Sequence, residues 1–220
     1  TRSKSVEEAL APDFADVKGQ PVARRAVELA ESAAASGTPC VLLGHIIHNQ
    51  NVVDRLASLG LRTVESPSEG PEGCQVVIRS HGVTPQVLAA VEDRGFSVVD
   101  ATCPHVSRAQ HAAAELAAEG CRVIVVGEAG HPEVEGLTAW AEEAGGKVDV
   151  VAAPEEIPEG LYDPVGVVAQ TTQRRENLEA VVAALREAGL EPIVKNTICS
   201  ATRQRQEAAA DLASAVDAMV

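Results

Sequence analysis

The sequence predicts an α/β fold in which small parallel sheets are flanked by helices. Short apolar runs alternate with amphipathic stretches of helical period, and several of these stretches end in glycine, the residue that commonly ends a helix. The 220 residues are 45% hydrophobic but only 2% aromatic, a composition that suits helices packed on small sheets. Continuous Val- and Ile-rich runs between helices are typical of parallel strands that are covered on both faces.

The elements follow one another in a regular order. Residues 1–20 carry no clear strand, and a loop there is expected to lead into a helix over about 21–36. Eight strand-like runs follow: 40–47, 61–66, 75–80, 96–102, 121–128, 147–153, 164–170 and 191–198. Helical stretches lie between them, among them NVVDRLASLG, TPQVLAAVEDRG, SRAQHAAAELAAEG and RENLEAVVAALREAG. A last helix over 201–216 runs into DAMV, which resembles the first residues of another strand.

The chain also repeats itself. VVDATCPHVSRAQ (98–110) and IVKNTICSATRQRQ (193–206) share a strand, a threonine, a cysteine and a helix that carries Arg and Gln. This internal similarity predicts pseudo-repeated α/β domains. We expect a first domain over 1–100, a second over 101–195, and at 196–220 the start of a third, incomplete one.

Composition excludes several classes of partner. The formal charge of −14 argues against nucleic acid, because duplex-binding surfaces need clustered Lys and Arg. The sequence has no apolar run of membrane-spanning length and no signal-peptide pattern, so no membrane partner is expected. The five cysteines are odd in number and widely spaced, which predicts free thiols and a cytoplasmic location.

Two of the cysteines are candidates for chemistry. Cys103 and Cys199 both fall where a strand gives way to a helix, and ligands of parallel sheets bind at the carboxyl ends of strands. The start of a helix favours the thiolate form of cysteine, which ligates iron or attacks electrophiles. Cys40, Cys74 and Cys121 instead begin strands, at the opposite end of a sheet, and we expect them to be structural.

Three histidines follow strands in the same way. They are His48 in GHIIHNQ, His81 in RSHGVTP and His131 in GHPEVEG. Imidazoles beside helix N-termini suit a phosphate or diphosphate. Glu133, two residues after His131, is placed to join them as an acid.

Hydroxyl groups occur at another strand end. Thr171 and Thr172 in QTTQ could face the same rim, although ordinary helix capping explains such threonines equally well. The remaining histidines have no comparable placement. We expect His45, His105 and His111 to be structural or exposed.

Taken together, these motifs resemble those of a known enzyme family. HIIHNQNVVD, SHGVTP, DATCPHV, GHPEVEG, QTT and NTICSATRQRQ occur in the order and at the spacings typical of the LytB-type iron–sulfur reductases, which act on 4-hydroxy-3-methylbut-2-enyl diphosphate. The resemblance covers roughly residues 40–216. The combination of DATCP, GHPEVEG and TIC-x-AT-x-x-RQ is highly specific.

The resemblance implies a cloverleaf of three small α/β domains around a central [4Fe–4S] cluster. The implied reaction is the reductive dehydroxylation of this allylic diphosphate to isopentenyl and dimethylallyl diphosphate, in the non-mevalonate route to isoprenoids. Electrons would reach the cluster from a donor such as ferredoxin or flavodoxin. By motif, the cluster ligands would be Cys103 and Cys199, the diphosphate ligands His48, His81 and His131, the proton donor Glu133, and the residues lining the substrate Thr171 and Thr172.

The chain departs from the family pattern in two places. The family carries a third cysteine in a G-F-C-x-G-V-x-R-A motif, where this chain has KGQPVARRA (18–26). The family's S-S-N motif, which contacts the diphosphate, lies beyond residue 220. Two thiolates hold a [4Fe–4S] cluster poorly. An alternative interpretation is therefore a degenerate homologue without a cluster, which binds a phosphorylated ligand or a partner chain. A zinc hydrolase is less consistent with the sequence, because close pairs of zinc ligands are missing.

Overall fold

A computed structural model describes residues 21–46 and 49–216. In these residues, eight strands form two parallel sheets of four strands each, and helices flank both sheets. The predicted fold class is thus confirmed. Residues 1–20, the predicted diphosphate ligand His48 and the DAMV segment lie outside the described residues.

The first sheet is preceded by helix α1, Pro21–Ala35. Its strands lie in the order β2-β1-β3-β4. They are β1 (Cys40–Leu43), β2 (Arg62–Val64), β3 (Gln75–Ile78) and β4 (Ser97–Asp100). The connections are helix α2 (Gln50–Ser58), a 3₁₀ turn (Pro67–Glu69) and helix α3 (Pro85–Asp93).

The second sheet follows helix α4, Pro104–Ala118. Its strands lie in the order β6-β5-β7-β8. They are β5 (Arg122–Val126), β6 (Val148–Val151), β7 (Val165–Ala169) and β8 (Ile193–Val194). The connections are helix α5 (Pro132–Glu143), a 3₁₀ turn (Pro154–Glu156) and helix α6 (Arg175–Glu187), and helix α7 (Ser200–Ala215) comes after β8.

The two sheets repeat one plan down to small details. Strand order, helix positions and the 3₁₀ turn after the second strand are the same in both. In each 3₁₀ turn a glutamate caps the backbone just before it. Glu69 Oε1 accepts from the Ser66 N–H at 2.9 Å, and Glu156 Oε2 accepts from the Ala152 N–H at 2.7 Å.

Both sheets are covered on two faces, as the apolar runs predicted. Leu42 and Val77 face α1 and α2, whereas their neighbours Val41 and Val76 belong to the core on the other face. This alternation follows from the two-residue period of a strand. In the second sheet every residue of β7 is buried, so this central strand is covered on both faces.

The strands are shorter than the apolar runs that predicted them. β3, for example, ends at Ile78, and Arg79 and Ser80 of the same run already belong to the loop. These two residues carry polar side chains. The short strands therefore leave a set of loops at their carboxyl ends.

Contacts between helices join the two sheets. α5 packs against both α4 and α3, and the Trp140 indole Nε1 on α5 donates to the carbonyl oxygen of Val83 at 3.1 Å. The domain boundaries at 100 and 195 stay predictions. No helix in the described part of the chain is long and apolar enough to cross a membrane.

Candidate functional site

Glu133 is the most deeply buried ionisable residue of the candidate site. It stands in the first turn of α5 and is 1% exposed. The backbone N–H of Thr171 donates to its Oε1 at 2.5 Å, and the Thr171 hydroxyl donates to its Oε2 at 2.9 Å. Burial raises the pKa of the Glu133 carboxyl, and the Thr171 hydrogen bonds and the nearby His131 oppose this shift only in part. The carboxyl therefore holds a proton at higher pH than an ordinary glutamate does.

His131 caps the helix that carries Glu133. Its Nδ1 accepts a hydrogen bond from the Glu133 N–H at 3.1 Å. Because Nδ1 is the acceptor, a neutral His131 carries its proton on Nε2. The ring of His81 meets that of His131 edge-on, with 5.6 Å between the centroids. His81 follows β3 of the first sheet, so the structure brings together two predicted histidines from different sheets.

Cys103 and Cys199 occupy matching positions. Each is the N-cap of a helix, Cys103 of α4 and Cys199 of α7, and neither side chain makes a capping hydrogen bond. The backbone N–H of Cys103 donates to the Ser80 carbonyl at 2.9 Å, and that of Cys199 donates to the Thr171 carbonyl at 2.9 Å. Each cysteine is thus tied to the loop after the neighbouring strand, β3 or β7.

These contacts link four predicted site residues in one chain of hydrogen bonds. His131 bonds to Glu133, Glu133 to Thr171, and the Thr171 carbonyl to Cys199.

The two hydroxyls of QTTQ lie in different environments. Thr171 is 5% exposed and belongs to this chain, whereas Thr172 is exposed and accepts from the Gln170 amide at 2.8 Å.

The sequence did not single out two buried amides close to the site. Gln170 is 5% exposed and also accepts from the Glu128 N–H at 3.1 Å, which ties the loop after β7 to the loop after β5. Gln110, on the helix that begins after Cys103, is 4% exposed. Both residues stand in quoted motifs, but local sequence does not reveal that a glutamine is buried.

The remaining cysteines behave as predicted for structural residues. Cys40 is the first residue of its strand, and Cys74 and Cys121 come directly before theirs. Burial raises the pKa of all three thiols, that of Cys40 to about 11. Thiols that stay protonated are poor nucleophiles and poor metal ligands.

The other histidines do not join the site. His45 and His111 are exposed and His105 is half-buried. The ring of His111 lies 5.8 Å from that of Trp140, on the helices that join the two sheets. This placement is consistent with the structural or exposed role predicted for them.

The arrangement can bind an anion and hold a proton beside it. Two imidazoles lie at the start of α5, where the helix N-terminus favours negative charge. A buried carboxyl with a raised pKa follows in the first turn of the same helix. This combination suits a reaction in which a bound phosphorylated compound receives a proton.

A family model and the known relatives of this chain both match one enzyme family. Residues 23–220 match the model of a family described as LytB protein. The chain is 46% identical over 198 residues to the 4-hydroxy-3-methylbut-2-enyl diphosphate reductase of Citrifermentans bemidjiense, and these residues make up 90% of the chain and 69% of the relative. With the reductase of the same name from Aquifex aeolicus, identity is 44% over 202 residues, and coverage is 90% and 68%.

Solved structures agree with the sequence relatives. The chain superposes on a structure of (E)-4-hydroxy-3-methyl-but-2-enyl diphosphate reductase with a TM-score of 0.77 and 41% identity, covering 89% of this chain and 70% of the other. On the E-1-hydroxy-2-methyl-but-2-enyl-4-diphosphate reductase of Plasmodium falciparum the TM-score is 0.80 at 25% identity, with coverage of 89% and 63%.

Proposed function

The chain belongs to the LytB protein family, whose relatives are named reductases, and we propose that it binds 4-hydroxy-3-methylbut-2-enyl diphosphate and takes part in the reductive removal of the hydroxyl group. The observation that carries this proposal is the hydrogen-bonded chain from His131 through Glu133 and Thr171 to Cys199. It connects the proposed anion-binding group and the proposed proton donor to Cys199, through the Cys199 backbone N–H.

In this proposal the diphosphate binds at the two histidines. His131 Nδ1 already accepts from the Glu133 N–H, which leaves Nε2–H to donate to a phosphate oxygen. His81 contributes from the other sheet at a centroid distance of 5.6 Å, and the start of α5 adds its favourable dipole. His48 is proposed as a third ligand on the basis of its motif alone.

Glu133 is the proposed proton donor. In the reaction the C–O bond of the allylic alcohol breaks, the oxygen leaves as water, and the substrate takes up two electrons and one proton at carbon. The second proton goes to the departing oxygen. A carboxyl whose pKa is raised by burial keeps its proton to higher pH than an ordinary glutamate, and Thr171 orients it with two hydrogen bonds. Thr171 and Thr172 would line the bound substrate.

The described residues do not make a complete site for the family's [4Fe–4S] cluster. Such clusters are normally held by four cysteine thiolates. Cys103 and Cys199 have the expected placement, but no group of three or more His, Cys, Asp or Glu among the described residues could hold a metal ion. The repeat indicates where a third thiol is missing. In the sequence, Pro21 of α1 matches Pro104 of α4, and the residue before Pro21 is Gln20 rather than cysteine.

The two electrons need an external source. We propose a one-electron carrier protein such as ferredoxin or flavodoxin as the donor. The five free cysteines are consistent with a reducing cytoplasm, where such carriers operate.

The missing thiol favours a second candidate function. Without a cluster, the same histidines and Glu133 would still bind a phosphorylated compound. The chain would then be a binding protein for a phosphorylated ligand or for a partner chain, derived from a reductase. The two candidates share the anion site and differ in iron content and turnover.

One experiment separates them. The chain is purified anaerobically and incubated with iron and sulfide. Its visible absorbance near 410 nm, its binding of inorganic pyrophosphate and its consumption of the allylic diphosphate with a reduced viologen are then measured. A brown protein that consumes the substrate supports the reductase, and a colourless protein that binds pyrophosphate supports the binding protein. A protein that does neither contradicts both.

The ligand assignment has its own control. If a cluster forms, Cys103→Ser should reduce the iron bound, whereas Cys121→Ser, which changes a buried thiol at the start of β5, should not. Equal iron content in the two variants would show that the cluster lies elsewhere.

A further inference from the structure

The amide of Gln110 is a buried donor that has no acceptor. The side chain is 4% exposed, and its Nε2 has no hydrogen-bond partner within the described structure. Leaving a buried donor unpaired destabilises a protein, and native proteins rarely retain such groups without a reason. Gln110 therefore needs an explanation other than core packing.

The amide lies between the two halves of the candidate site. A Cβ atom at Gly82, the residue after His81, would lie 2.7 Å from Gln110 Nε2. A Cβ atom at Gly136, one turn after Glu133 in α5, would lie 3.0 Å from the same nitrogen. Gln110 therefore occupies the space between the loop that carries His81 and the helix that carries His131 and Glu133.

In the second copy of the repeat, the glutamine that corresponds to Gln110 has a hydrogen-bond partner. Gln110 stands seven residues after Cys103, and Gln206 stands seven residues after Cys199. Gln206 Nε2 donates to the main-chain carbonyl of Thr172 at 3.4 Å. The backbone N–H of Cys103 donates to the Ser80 carbonyl, and that of Cys199 donates to the Thr171 carbonyl. Ser80 and Thr171 are therefore equivalent in the repeat, and so are the residues that follow them, His81 and Thr172.

From this we infer that Gln110 is a positioning residue for His81. In the anion-bound site, its Nε2 donates to the main-chain carbonyl of His81, as Gln206 donates to that of Thr172, and thereby holds His81 against His131. The inference rests on the proposed function, since the histidines are the groups that bind the anion. The donor is unpaired in the free protein and becomes paired when the anion draws the His81 loop into place.

The test replaces Gln110 by methionine, which has a similar length and no donor. In the free protein, Gln110→Met should unfold at the same temperature as the wild type or higher, because an unpaired donor has been removed. Its affinity for inorganic pyrophosphate, measured by calorimetry, should fall about tenfold, which is the effect of losing about 1.4 kcal/mol of binding free energy. The change in the NMR signal of His81 on adding pyrophosphate should become smaller. If Gln110 only filled space, the affinity of Gln110→Met for pyrophosphate and the change in its His81 signal would equal those of the wild type.

Gln75→Met is the matched control. Its Oε1 is also buried without a partner, but it lies at the first residue of β3, away from the carboxyl ends of the strands. This variant should bind pyrophosphate as the wild type does. Should Gln110→Met not fold, Gln110→Leu tests the same point, because leucine is uncharged and has no group that donates to the His81 carbonyl.

The outcomes separate this inference from the proposed function. If the wild type does not bind pyrophosphate, the proposed anion site is wrong and this inference falls with it. If the wild type and Gln110→Met bind pyrophosphate with equal affinity, only the role of Gln110 is refuted. The same loss of affinity in Gln75→Met would also refute it, because the effect would then be general.

Discussion

Replacing Thr171 by valine removes the hydroxyl that donates to the buried carboxyl of Glu133 at 2.9 Å. The backbone N–H bond to the other carboxyl oxygen is retained, and valine nearly preserves the shape of threonine. The perturbation is therefore one hydrogen bond to one oxygen. Its cost depends on the charge of Glu133, because a hydrogen bond to a neutral group contributes about 1 kcal/mol and one to a charged group about 1.5–3 kcal/mol.

The charge of Glu133 in turn depends on pH. Burial raises the pKa of this carboxyl above its unfolded value, so the folded state keeps the proton longer than the unfolded state does. The wild type should therefore lose stability as the pH rises from about 4.3, the usual pKa of glutamate, through the folded pKa. Thr171→Val removes a bond that favours the ionised form, so the folded pKa rises further and the loss becomes larger.

The expected result is a destabilisation that grows with pH. At low pH, Thr171→Val should cost about 1 kcal/mol, and above the folded pKa of Glu133 about 2–3 kcal/mol. For a chain of this size each kilocalorie lowers the unfolding midpoint by about 2–4 °C. Urea and thermal unfolding followed by far-UV circular dichroism at several pH values between 5 and 9 would show whether the cost grows with pH.

Thr138→Val is the matched control for this experiment. Thr138 lies on α5, the helix that also carries Glu133, and its buried Oγ1 has no hydrogen-bond partner within the described structure. The same substitution there should be neutral or slightly stabilising at every pH. The reasoning would be refuted if the two variants behaved alike, or if the cost of Thr171→Val did not change with pH.

Three further predictions follow from the structure. Gly136→Ala should raise the unfolding midpoint by about 2–4 °C, because alanine is about 1 kcal/mol better than glycine in a helix and the atom nearest the added Cβ, Gln110 Nε2 at 3.0 Å, is the end of a flexible side chain. A fall in the midpoint, measured by thermal unfolding, would show that Gln110 cannot move. Burial raises the pKa of the Cys40 thiol to about 11, so Cys40 should react with iodoacetamide at pH 8 about 100-fold more slowly than a free thiol. Mass spectrometry would follow the labelling. Labelling at the rate of a free thiol would show that burial does not raise the pKa of this thiol. Gln20→Cys should increase the iron bound after anaerobic reconstitution, because residue 20 precedes Pro21 as Cys103 precedes Pro104. An unchanged iron content would show that residue 20 is not equivalent to Cys103.

Much of the local structure could be predicted because its causes are local. The Val-rich runs and the glycine-terminated helical stretches correctly predicted the positions of all eight strands in the described residues. Each strand is shorter than the apolar run that predicted it. The prediction that Cys103 and Cys199 directly precede helices is confirmed. It could be made because the signals that start a helix lie within a few residues of its first turn. The chemistry of GHPEVEG and QTT could likewise be proposed from residue types at strand ends.

Which of these residues meet could not be read from the sequence. Nothing near Glu133 in the chain shows that its carboxyl bonds to Thr171, 38 residues away, or that Thr172 does not share this contact. The pairing of His81 with His131 depends on how one sheet packs against the other. The burial of Gln110 between two glycines has no local signal at all.

The sequence by itself determined the class of fold, the repeated plan and the candidate groups, because hydrophobic period, caps and turns act over a few neighbouring residues. The tertiary structure decided which candidates lie close together and that burial raises the pKa of Glu133. Hydrogen-bond partners and burial depend on distances between elements that are far apart in the chain. For this reason the raised pKa of Glu133 and the unpaired amide of Gln110 appear only in the folded structure.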